Sequence, residues 1–120
     1  MNSKLEVMSE PTVFERIVAG ELPSTKVFEN ERLLGILPLE PLAEVHLLVF
    51  PKTAEYRNVA ELAAGDPQLL AEIVGIAQQL ADEHANGQYR LTFNTGADAG
   101  QTVFHVHAHV LAGGLTEASL

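Results

Sequence analysis

Residues 104–111 read Phe-His-Val-His-Ala-His-Val-Leu, so His105, His107 and His109 recur at every second position. Successive side chains of an extended strand point to opposite faces. The spacing therefore predicts a strand over 103–111 with all three imidazoles on one face. Phe104, Val106, Ala108 and Val110 fall on the other face and are expected in a core. At roughly 3.3 Å of rise per residue the imidazole row spans about 13 Å. Near neutral pH imidazole serves as nucleophile, acid, base or metal ligand. A neutral ring is a good nucleophile when one nitrogen is free and the other keeps its proton in a fixed hydrogen bond, and a strand carbonyl can supply that bond. His109 lies beside His107 on the same face and can donate a hydrogen bond. The preceding loop, 94–102, adds amide donors at Asn94 and Gln101 and a hydroxyl at Thr102. Its Gly96 and Gly100 let backbone N–H groups approach an anion.

Blander readings compete with this one. A solvent-facing strand with incidental histidines gives the same alternation. His46, alone on another strand, reads equally as a core histidine, and His84, at a polar helix end, as a solvated side chain. The glycine loop alone is no more than a turn. Metal binding is the sharper rival: two histidines one residue apart on a strand can chelate zinc if a third ligand converges on them.

The elements that would position these residues follow from the rest of the chain. Thr12 caps a short helix with Glu15 at the capping-box position; Phe14, Ile17 and Val18 form its apolar face and Gly20 stops it. Strands are expected over 25–29 and 32–37 around an Asn30-Glu31 turn, then over 45–50, ended by Pro51. A short helix is expected over 59–63. Asp66-Pro67 starts a long one, a cap followed by proline at the first helical position. There Leu69, Leu70, Ile73, Val74, Ala77, Leu80 and Ala81 follow the helical period, and Asn86-Gly87 closes it. A strand over 89–94 leads through the glycine loop to the histidine strand. The order implies an α+β fold: a five-stranded antiparallel sheet with one long and one or two short helices. Three regions are expected, a flexible leader over 1–11, one domain over 12–112 and a tail over 113–120.

Composition narrows the function. The 120 residues suit one domain, with 47% hydrophobic and 19% charged residues. A formal net charge of −9 argues against nucleic-acid polymers as partners, since these need a basic surface. A small anionic ligand in a local pocket remains compatible. The chain has no cysteine, which removes disulfides and thiolate metal sites and fits an expected cytoplasmic location. No apolar run reaches the length of a membrane span, and the start lacks the apolar core of a signal peptide.

The run His105-Val106-His107-Ala108-His109-Val110-Leu111 matches His-φ-His-φ-His-φ-φ, with φ apolar, and resembles the signature of the histidine triad (HIT) superfamily. The likeness extends to Phe14-Glu15-Arg16-Ile17-Val18 with Gly20-Glu21-Leu22-Pro23, to Val45-His46-Leu47-Leu48-Val49-Phe50-Pro51-Lys52, and to Asn94 through His105. It covers roughly residues 12–112. His109 sets the chain with the small Hint-like branch; the uridylyltransferase branch carries glutamine there. The resemblance implies a HIT-like fold and a homodimer that pairs its sheets. It also implies a nucleoside phosphoramidase or related nucleotide hydrolase, without cofactor, acting on a nucleotide or nucleotide conjugate. In it His107 attacks the α-phosphorus to form a nucleotidyl-histidine, His109 assists, and His105 and His46 support the site by hydrogen bonding. Two positions depart from the pattern. The aspartate that usually binds the ribose hydroxyls is here Pro38, beside Leu37, and no histidine follows Pro51-Lys52. Pro38 has neither an acceptor side chain nor a backbone N–H. The altered pocket keeps open a non-catalytic nucleotide-binding or partner-binding module.

Overall fold

The computed structural model describes residues 10–119; most of the leader expected over 1–11 lies outside them. Helix α1 (Val13–Val18) starts at Thr12, whose side chain accepts from the Glu15 N–H while the Glu15 carboxylate accepts from the Thr12 N–H. Strands β1 (Thr25–Glu29), β2 (Leu33–Leu37) and β3 (Val45–Pro51) follow, then the short helix α2 (Val59–Gly65) and the long helix α3 (Pro67–His84). Asp66 caps α3 through the Leu69 N–H, with proline in the first turn. The three-residue β4 (Arg90–Thr92), a 3-10 turn (Ala97–Ala99) and β5 (Ala108–Ala112) complete the chain.

The strands form one antiparallel sheet in the order β1-β2-β3-β5-β4. The fold is α+β, as the sequence predicts. Period-2 alternation divides the apolar residues between the two faces. Leu33, Leu47, Val49, Val106, Ala108 and Val110 meet Leu69, Ile73, Ala77 and Leu80 of α3. On the other face Leu34, Ile36, Leu48 and Phe50 meet Phe14 and Ile17 of α1. The central strands are thus buried on both sides, and the histidines occupy the α1 face. Gly35 lies beneath α3: a Cβ there would press on Phe28 Cβ at 3.2 Å and make an ordinary contact with Leu80 Cδ1 at 3.5 Å.

Boundaries differ from the sequence reading in instructive ways. Pro51 does not end β3 but is its last paired residue, opposite Leu33. β4 is shorter than 89–94. The largest difference is β5, which begins at Ala108 rather than Val103. Among the described residues, 103–107 have no ladder partner on either side: β4 pairs with Leu111, Val110 and His109, and β3 with Ala108 through Ala112. Instead the Val106 N–H bonds the Tyr56 carbonyl at 2.9 Å. The alternation survives from Val106 onward, but Phe104 is turned outward and is 49% exposed, a correction to its expected place in the core.

Candidate active site

Four of the chain's histidines meet on the α1 face. His46 is carried by β3 and His109 by β5, while His105 and His107 lie on the extended approach to β5. The ring centroids of His46 and His109 are 5.2 Å apart, and those of His107 and His109 are 5.1 Å apart. Phe14 of α1 packs edge-on against both His105 and His107, at 5.5 and 4.9 Å. The helix therefore walls the site.

Hydrogen bonds fix which nitrogen of each ring bears the proton. A carbonyl can only accept. His107 Nδ1 lies 2.8 Å from the His105 carbonyl, so Nδ1 carries the proton and Nε2 keeps its lone pair. His105 Nε2 lies 2.6 Å from the Pro51 carbonyl and must donate; its Nδ1 then accepts from the Thr12 hydroxyl at 2.7 Å. On the other side the Leu42 N–H donates to His46 Nδ1 at 3.0 Å. His46 Nε2 must therefore carry its ring's proton, and it donates to His109 Nδ1, also at 3.0 Å. The proton of His109 is left on Nε2, a buried atom with no hydrogen-bond partner among the described residues. Burying an unpaired donor costs about 1–3 kcal/mol, so this N–H is poised for an acceptor brought by a ligand.

Burial also sets the charge. It holds His46, His105 and His107 below the ordinary imidazole value. His109 is lowered to about 4, first by burial and then by repulsion from His107 and His46. All four rings are neutral at pH 7. A free Nε2 lone pair on His107 thus lies next to an unpartnered Nε2–H on His109, an arrangement suited to attack on an electrophile whose oxygen or leaving atom takes the hydrogen bond. A bound anion beside His109 would favour its cationic form and ease proton donation.

The loop uses its donors differently from the sequence reading. Both amide hydrogens of Gln101 stay inside the protein, on the Arg57 carbonyl at 2.7 Å and the Val103 carbonyl at 3.0 Å, and its Oε1 takes the Gly96 N–H at 2.9 Å. The Gly100 N–H bonds the Ala97 carbonyl at 3.0 Å. Gly96, Gly100 and Gln101 therefore shape the loop, and their donors are not presented to an anion. Both glycines have φ of +90°, a conformation that side chains disfavour. Asn94 is half-buried and Thr102 exposed; neither makes a side-chain hydrogen bond among the described residues.

Three contributors escaped the sequence reading: the Leu42 N–H, the Pro51 carbonyl and the link from Thr12 to His105. Two are backbone groups that leave no mark in residue type. A cleft of about 300 Å³ opens beside His46, lined by Leu37, Pro38, Pro41 and the exposed His84. A larger one, of about 680 Å³, contains none of the four histidines.

Comparison with known proteins agrees with this geometry. A family model described as the HIT domain matches residues 19–114. An uncharacterized HIT-like protein of Chlamydia muridarum is 41% identical over 109 residues, 89% of this chain and 85% of that protein. A solved HIT family hydrolase from Clostridium thermocellum superposes with a TM-score of 0.82 at 40% identity, covering 92% of this chain and 96% of its own. A hypothetical histidine triad nucleotide-binding protein from Sulfolobus tokodaii aligns with a TM-score of 0.71 at 33% identity, covering 82% of this chain and 66% of its own. Sequence, fold and the clustered histidines converge: the chain belongs to the histidine triad family, whose solved members include hydrolases of this fold.

Proposed function

We propose that this protein is a nucleotide hydrolase or transferase that cleaves a phosphoramidate or phosphoanhydride bond through a nucleotidyl-histidine on His107. The carrying observation is the proton arrangement: His107 Nδ1 is tied to the His105 carbonyl, and His109 presents an unpartnered, buried Nε2–H beside it. In this reading the His107 Nε2 lone pair forms a bond to the α-phosphorus and the bond to the leaving amine or phosphate breaks. With the anionic phosphate bound, His109 is held in its cationic form, and the departing group takes the Nε2 proton, leaving His109 neutral. Water then attacks the phosphorus, the bond to His107 breaks, and a nucleoside monophosphate leaves while His109 recovers a proton. Two half-reactions replace one difficult displacement. Asn94 and Thr102, with uncommitted polar side chains beside the triad segment, are the proposed phosphate donors. Gln101 and Gly100 hold the loop that carries them. His46 and His105 fix the tautomers.

The proposed steps assign no role to a metal. Both ring nitrogens of His46 and of His105 are engaged in hydrogen bonds within the protein. Among the described residues, no group of three or more His, Cys, Asp or Glu side chains converges as ligands. Among those residues, too, no helix is long and apolar enough to cross a membrane. A homodimer belongs to the same proposal. The edge strand β4 leaves one side of its ladder unpaired, and two-fold pairing is the commonest way to cover such an edge. A cytoplasmic location completes it, testable by fractionation.

The commitment of the loop donors and the presence of Pro38 favour one second reading, a nucleotide-binding module with little turnover. Rapid quenching of a nucleoside phosphoramidate reaction, followed by peptide mass spectrometry, separates the two. A nucleotidyl adduct on His107 and its loss, with turnover, in His107→Ala are expected. An adduct on another residue, or a near-normal rate in the variant, overturns the assignment.

A further inference from the structure

His105 takes no part in the bond changes above, yet it is the most completely buried of the four rings, at 0% exposure. Its ring stands edge-on between Phe14 and Phe50, with interplanar angles of 87° and 88°. What holds it is Thr12, the N-cap residue of α1. The Thr12 hydroxyl oxygen accepts from the Glu15 N–H at 3.0 Å, which is ordinary N-capping. A hydroxyl also has one proton to give, and here it faces His105 Nδ1 at 2.7 Å. Because the Pro51 carbonyl, 2.6 Å from Nε2, forces the ring proton to that side, Nδ1 must accept and Thr12 must donate. The backbone carbonyl of the same His105 receives the Nδ1–H of His107.

We propose that Thr12 is a positioning residue for His107: its hydroxyl locks the tautomer and tilt of His105, and so aims the carbonyl that keeps the proton on His107 Nδ1 and the lone pair on Nε2. This rests on the reading of His107 as nucleophile and adds to it a dependence on the cap of α1. The helix cap and the site share one oxygen. Docking of α1 therefore sets the nucleophile's protonation state as well as burying Phe14. The charged group facing His105 from α1 is Glu15, whose carboxylate is taken up by the Thr12 N–H at 2.9 Å; the ring facing it from its own segment is His107.

The two duties of Thr12 can be separated by substitution. Thr12→Ser keeps both the acceptor and the proton. Thr12→Asp keeps an equally good cap but has no proton to give at neutral pH, and its carboxylate draws a proton onto His105 Nδ1. Long-range nitrogen–proton NMR of the imidazoles reads each tautomer directly in the resting protein. The wild type and Thr12→Ser are expected to show His105 protonated on Nε2 alone and His107 on Nδ1 alone. Thr12→Asp is expected to show His105 protonated on both nitrogens near pH 7. Its kcat on a nucleoside phosphoramidate should fall about tenfold, the factor for one hydrogen bond, with KM within twofold and a displaced kcat–pH profile. Unchanged His105 nitrogens in Thr12→Asp overturn the proposal whatever the rate does, since any loss would then come through the helix alone. So does a protonated His105 with unaltered kcat. If the wild type turns over no phosphoramidate, the hydrolase reading fails while the NMR arm still decides what Thr12 does to the two rings.

Discussion

Lowering the pH should unfold this protein through its own site, and His109 supplies the largest single part. Its imidazole stands at about 4 in the fold against an ordinary 6.5. Between those values the unfolded chain holds a proton that the folded chain refuses, so stability rises with pH across the window. It is complete above about 6.5 and is lost as the pH falls toward 4. Each tenfold change in proton affinity is worth about 1.36 kcal/mol, which puts the His109 contribution at no more than about 3.4 kcal/mol. His109 is only partly buried, and solvent screening brings the expectation to about 1–3 kcal/mol. His46, His105 and His107 are displaced in the same direction, each chiefly by burial, and add to the trend. Glu29, Glu61 and Asp66 are held below their ordinary 4.5, 4.5 and 3.8 by ion pairs and act only at lower pH. For a domain of this size each kcal/mol moves Tm by roughly 3–5 °C. Thermal melts at pH 7.5 and pH 4.5 should therefore differ by about 5–10 °C more in the wild type than in His109→Gln, which cannot titrate. A wild-type Tm that is flat or rises on acidification refutes the burial argument. Equal pH dependence in the two proteins refutes the assignment to His109.

Other outcomes follow from the same geometry. His109→Ala should slow turnover on the order of 100- to 1,000-fold, the usual loss for one preorganised donor, and less than His107→Ala does; single-turnover rates of the two variants check the order. Light scattering at micromolar concentration should return twice the chain mass, and a stable monomer rejects sheet pairing through β4. Matched ribo and deoxyribo phosphoramidates should differ in kcat/KM by less than about tenfold, roughly 1.4 kcal/mol, because Pro38 offers ribose hydroxyls no side-chain acceptor whose hydrogen bonds would go unmade. Pro38→Asp should raise the ribose preference if the loop keeps its path, and a wild-type ratio of 100-fold or more means that another group, such as the exposed Glu40, holds the ribose.

What the sequence made legible was direction. Alternation at Val106, Ala108 and Val110 puts these residues against α3 and leaves the histidines on the α1 face, although the ladder itself starts only at Ala108. The capping signals at Thr12 and Asp66 are met as written. Period failed at Phe104 because the local pattern cannot know that β4 has only three residues to offer as partners. Residue type misled at Gln101, whose amide reads as a ligand donor but binds two carbonyls within the protein, one of them at Arg57, 44 residues away. The deeper gap concerns protons. The chemistry of an imidazole depends on which nitrogen is free, and each ring's partner is far off along the chain: Pro51 is 54 residues from His105, Thr12 is 93 from it, and His46 is 63 from His109. At the head of the His46–His109 chain stands the Leu42 N–H, a group that every non-proline residue possesses. A substitution of Leu42 by anything but proline therefore leaves the first donor of this chain in place, so in the resting protein the direction of its protons depends on the path of the 38–44 loop.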